Sequence, residues 1–117
     1  MADYRRTMSA STLVGDKVFN LENEELGEVE EIMLDVETGR IAYVVLSHGG
    51  LLGLGDKLFA VPWQALSLSE EEHAFYLDVD KEMLKTAPGF DKDDWPEHAM
   101  HDGLVSVYEF YGYSPWW

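Results

Sequence analysis

Between Leu26 and Trp63 the apolar positions change spacing in a way that predicts a β-hairpin. Ile32, Leu34 and Val36 alternate with Met33, Asp35 and Glu37, then Thr38-Gly39-Arg40 turns the chain, and Ile41 to Ser47 is apolar at nearly every position. The first arm reads as a half-buried strand. The second has no polar half, so it reads as a central strand covered on both faces, by the core on one side and by the chain's other segments or a partner on the other. Gly39 is the residue the turn depends on, because one position at φ > 0 is needed and glycine takes it at little cost. Val29 is out of phase with the first arm. A β-bulge near Glu30-Glu31 restores the register, and bulges bend strands so that small barrels close.

The remaining chain predicts further short strands. Residues 1–10 are polar and small and residues 1–12 read as a mobile arm, in which Ser9 to Thr12 can start a turn of helix ahead of Leu13, where the ordered domain begins. Lys17 to Leu21 is a first strand, followed by a polar turn at Glu22 to Glu25. Ser47 to Lys57 forms a loop in which four glycines alternate with three leucines. Leu58 to Val61 is a strand stopped by Pro62, with Trp63 as a lid on the core. Ala65 to Leu68 and Ala74 to Val79 flank a charged turn, and Phe75, Leu77 and Val79 share one face. Asp80 caps a short helix over Lys81 to Thr86, which Pro88-Gly89 ends. Gly15-Asp16-Lys17-Val18-Phe19 is echoed by Gly55-Asp56-Lys57-Leu58-Phe59, and Leu-Asp-Val follows at 34–36 and again at 77–79, a faint sign of duplication. The expected organisation is one barrel domain over 13–90 and an acidic loop with an aromatic extension over 91–117.

Composition narrows the function classes. The chain of 117 residues carries a formal net charge of −15 and no cysteine. A phosphate-backbone binder needs clustered lysine and arginine, so nucleic acid and anionic membrane surfaces are not the expected partners. Disulfides, thiolate nucleophiles and cysteine zinc sites are excluded. The Arg5-Arg6 pair has no apolar run after it, and no later segment is apolar enough to span a bilayer, so a soluble, cytoplasmic protein is expected.

Candidate chemistry is sparse. The Gly/Leu loop fails as a phosphate loop, because Gly50 to Gly55 is followed by Asp56, Lys57 and Leu58 where a lysine and a hydroxyl are required. It fails as a dinucleotide fingerprint too, since Leu58 replaces the third glycine and a strand follows. Leu51, Leu52 and Leu54 are instead candidates for covering apolar surface or meeting a partner. Asp35 and Asp78 alternate with apolar neighbours and belong on solvated faces, and no nucleophile elbow or activated base stands out. His98 and His101, followed by Asp102, have a spacing that places two imidazoles near one metal on a helical turn, but no third strong ligand completes the set. The last ten residues hold six of the fifteen aromatics. Tyr108, Phe110 and Tyr111, with Tyr113, Trp116 and Trp117, have to lie against this domain's core, a second subunit or another protein.

Leu13-Val14-Gly15-Asp16-Lys17-Val18, Leu26-Gly27-Glu28-Val29, Leu34-Asp35, Thr38 to Val45 and Phe59-Ala60-Val61-Pro62-Trp63 together resemble the PRC-barrel family. That family includes the cytoplasmic domain of the photosynthetic reaction-centre H subunit and the C-terminal domain of a ribosome maturation factor. The likeness covers Leu13 to Val79, and Ala87-Pro88-Gly89-Phe90 resembles the continuation in free-standing bacterial members. It implies an all-β fold, a small antiparallel barrel with a short helix after the last barrel strand. It also implies a protein-interaction and assembly module with no catalytic residues and no cofactor. The expected partner is an unidentified protein, with a homodimer as the expected assembly. The alternative is a ligand- or metal-binding domain that uses the His98/His101 turn or an aromatic pocket.

Overall fold

The computed structural model describes residues 7–47, 57–69, 71–84, 86–87, 89–91 and 101–114. Its elements in chain order are α1 (Ala10–Leu13), β1 (Lys17–Phe19), β2 (Glu25–Asp35), β3 (Arg40–Ser47) and β4 (Lys57–Val61). A 3₁₀ turn (Trp63–Ala65), β5 (Leu66–Ser69), β6 (Ala74–Leu77), α2 (Lys81–Leu84), β7 (Gly89–Asp91) and α3 (His101–Phe110) follow. The strands form one sheet in the order β5-β6-β1-β2-β3-β4-β7.

The long hairpin forms as its pattern predicts. Asp35 pairs with Arg40 at its end, and Gly39 takes φ 76° in the turn. Asp35 organises that turn: its carbonyl accepts from the Gly39 amide at 2.8 Å and its carboxylate from the Thr38 hydroxyl at 2.6 Å. The expected bulge is present, since Val29 pairs with Leu46 and Glu31 with Val45, leaving Glu30 as the extra residue. It returns Val29 and Ile32 to the concave face, where they meet Val18, Val44, Leu46, Phe75 and Leu77 in the main core. Trp63 packs edge-on against Phe75 with ring centroids 5.9 Å apart, as a lid would.

Two expectations are corrected. The sheet is not wholly antiparallel, because β1 and β6 run parallel, with Val18 opposite Phe75. Nor is it a closed barrel: β5 and β7 stand at opposite ends, and no described strand joins them. The cause is the path of the chain. After β4 it crosses by Pro62 and the 3₁₀ turn, so the β5–β6 hairpin arrives beside β1 with β6 in the same sense. Parallel neighbours always need such a long connection.

Smaller departures have local causes. Leu34 and Val36 do not share the core face with Ile32; they are 58% and 88% exposed, because β2 has left the core by the time it reaches the turn. The two echoed segments do not occupy equivalent places either. Val18 faces the main core while Leu58 faces the opposite side of the sheet, and Leu77 is buried where Leu34 is exposed. Asp80 caps α2 as expected, accepting the Met83 amide at 2.7 Å, but the helix stops at Leu84, where the Thr86 amide and hydroxyl both take the Met83 carbonyl.

The β1–β2 turn holds the one fully buried polar side chain among the described residues, Asn20. Its Oδ1 accepts the amides of Glu22 and Glu24 at 3.0 and 2.9 Å, and its Nδ2 donates to the Glu24 carboxylate at 2.8 Å. Every polar atom of the amide is matched, so burial costs little, and Asn23 can hold φ 64°. Asn20→Ala strands two backbone amides and is expected to lower unfolding free energy by about 2 kcal/mol in urea titrations. A loss below about 0.5 kcal/mol would mean that the turn holds itself.

Candidate interaction surface

A β-branched and aromatic strand with no polar half needs cover on both faces, and β3 has it. Its concave side chains, Val44 and Leu46, lie in the main core. Its convex ones, Ala42, Tyr43 and Val45, join Leu58 and Ala60 of β4 in a second cluster, roofed by Val107 and Tyr108 of α3. The change of face is made by a further bulge. Leu34 pairs with Ile41 and Met33 with Tyr43, so Ala42 is the extra residue, and it has no register partner on β4. Its carbonyl accepts a buried hydrogen bond of 2.9 Å from the Tyr108 hydroxyl. The C-terminal helix therefore supplies both an apolar roof and the polar contact that the bulge removed from the ladder.

The predicted aromatic positions divide accordingly. Tyr108 is fully buried against its own sheet. Phe110 and Tyr111 are half-buried, stacked edge-to-face at 5.0 Å, and both reach the main core. Tyr113 is largely exposed. Leu51, Leu52, Leu54, Trp116, Trp117 and His98 lie outside the described residues, and the side chains of His101 and Asp102 do too. Among the described residues no group of three or more His, Asp or Glu comes together as a metal site would require.

The apolar surface left open is elsewhere, at a place the sequence pattern assigned to the core. A groove of about 220 Å³ lies between the hairpin, which contributes Ile32, Leu34 and Ile41, and β5, which contributes Leu68. Leu13 and Trp63 complete it, with Met8 and Ala10 at its rim. It lies beside β5, the strand at one end of the sheet. A second hollow lies beside Phe19, Asn23, Glu72, Ala74 and Tyr76, where the Tyr76 hydroxyl donates to Glu72 at 2.7 Å, which holds that phenol's pKa above its ordinary value.

The family model of the PRC-barrel domain matches residues 5–84, which takes in every strand from β1 to β6 together with α2. The chain belongs to the PRC-barrel domain family. No curated protein matches it. Within this PRC-barrel chain the groove falls inside the matched region, whereas β7 and α3 lie beyond it. The roof over the convex face is thus an addition to the part that the family model describes. No helix among the described residues is long and apolar enough to cross a membrane.

Two tyrosines of α3 and its end make opposite predictions. Tyr108→Phe leaves the Ala42 carbonyl buried without a donor and is expected to cost about 1–2 kcal/mol. The Tyr111 hydroxyl is buried with no hydrogen-bond partner, and burial pushes its pKa up. Tyr111→Phe removes an unmatched polar group, so it is expected to be neutral or to stabilise by up to about 1 kcal/mol. Because the folded state resists ionising this phenol, its contribution is complete below about pH 10 and is lost as pH rises toward the raised value. Parallel urea titrations from pH 7 to 11 check both; a Tyr111→Phe protein that loses stability as steeply in alkali as the parent would contradict this reading.

Proposed function

We propose that this chain is a non-enzymatic protein-interaction module that presents the groove between the β2–β3 hairpin and β5 to a partner. The observation that carries this reading is the uneven treatment of its two apolar faces. The convex face is roofed by α3 within the same chain, while the groove leaves Leu34 and Met8 open to water. A folded domain that roofs one apolar face and leaves large side chains exposed on another marks a contact surface. The PRC-barrel fold supports it, as a scaffold whose motifs are strands, turns and packing positions.

Self-association, the assembly expected from the sequence, is the less favoured form of this role. The second face of β3, open in the sequence to the chain's own segments or a partner, is occupied by α3, and two chains of net charge −15 repel each other. The Gly/Leu loop at Leu51, Leu52 and Leu54 and the terminal Trp116 and Trp117 remain candidates for a secondary contact. A metal- or ligand-binding role through His98, His101 and Asp102 has no observation in its favour.

The test pairs partner reconstitution with a ligand screen. A protein captured by the full chain is expected to re-form the complex from purified components with fixed stoichiometry by light scattering. Divalent metals and common small ligands are expected to move the Tm by no more than about 1 °C. A dose-dependent rise of several degrees with one ligand, and no protein that reconstitutes, would contradict the proposal.

A further inference from the structure

The groove has a feature that narrows what can fill it. β5 ends the sheet: its residues Leu66 to Ser69 pair with Leu77 to Ala74 of β6 on one side, and no described strand lies on the other. Its first amide, that of Leu66, turns back to the Trp63 carbonyl, and β6 is its one strand neighbour among the described residues. Such an edge is a template for one more strand. Leu68 of the same strand lines the groove, and Ile32, Leu34, Ile41 and Trp63 face it from the other elements. A strand added to β5 turns alternate side chains toward those residues.

Charge then selects the chemistry of the added strand. Along the part of the β2–β3 hairpin that carries the groove residues Ile32, Leu34 and Ile41, the chain also carries four carboxylates, at Glu30, Glu31, Asp35 and Glu37, against one guanidinium, Arg40. Farther along β2, the Glu25 carboxylate meets Lys17 at 3.4 Å. A second copy would set this acidic hairpin against its like. We propose that the groove takes an extended segment of another protein in which apolar and basic residues alternate, bound as an added strand on β5. The apolar side chains enter between Ile32, Leu34 and Trp63, and the basic ones lie toward the hairpin carboxylates. This rests on the interaction-module reading and names its surface and its partner class.

The test uses the full chain and three fluorescent peptides of about ten residues, alternating leucine with lysine, serine with lysine, and leucine with glutamate, in about 0.15 M salt. By anisotropy the leucine–lysine peptide is expected to bind about tenfold or more tighter than either of the others. Leu34→Ser, at an exposed position that the fold does not need, is expected to weaken it about tenfold at unchanged Tm. Leu21→Ser, at an equally exposed leucine in the β1–β2 turn, is expected to leave it alone. Bound peptide is also expected to slow hydrogen exchange at the amides of β5 that face away from β6. Equal binding of the serine–lysine peptide would reduce the effect to charge and overturn the proposal. So would an unchanged affinity in Leu34→Ser, unprotected β5 amides, or a dimer of the parent chain that Leu34→Ser dissociates. If Leu34→Ser instead leaves a reconstituted native partner bound, the groove assignment fails while the interaction-module reading stands; if no partner reconstitutes, both fail.

Discussion

A strand that is apolar on both faces has to be covered twice, and the architecture of this protein follows from how β3 meets that requirement. The curl of the sheet brings β1, β2 and β6 under its concave face. Nothing in the sheet itself can reach the convex face, so a segment from outside it must, and α3 does so with Val107 and Tyr108. The bulge at Ala42 ties the two solutions together. It shifts Tyr43 to the convex cluster, takes a carbonyl out of the ladder, and leaves that carbonyl to the Tyr108 hydroxyl. Burying the roof without that hydrogen bond would leave an unmatched acceptor inside an apolar layer.

The sequence was informative where local rules decide the outcome. The hairpin, the positive φ at Gly39, the bulge at Glu30 and the Asp80 cap each depend on a few neighbouring residues whose chemistry allows little else. It was misleading where distant segments decide. No local signal states that β6 lies parallel to β1, because strand direction is set by the route of the intervening chain. Alternation placed Leu34 and Val36 with Ile32 in the core, but a strand can run past the core it started on, and these two do. Asn20 was not picked out from its type, since an asparagine beside a turn gives no sign that its amide will be enclosed.

The same division applies to the candidate surface. The aromatic C-terminal stretch announced that it had to be covered, yet its composition fits self-packing and interface equally well; the position of Tyr108 over Ala42 separates the two for that residue. The groove gave no advance sign, because it is built from segments far apart in the chain, and its residues are ordinary core types. Membership of the PRC-barrel family explains the scaffold. The roof beyond the matched region and the open seam within it distinguish the two faces of this chain.

The most direct test of the account is whether α3 roofs the sheet of its own chain. In a dilute sample mixing isotope-labelled and unlabelled protein, filtered nuclear Overhauser spectra of the full chain can separate contacts within one chain from contacts between two. The account predicts a cross-peak between the Tyr108 ring and the Ala42 methyl within a single labelled chain. The same cross-peak found only between differently labelled chains would show that the roof comes from a second copy, and would contradict it.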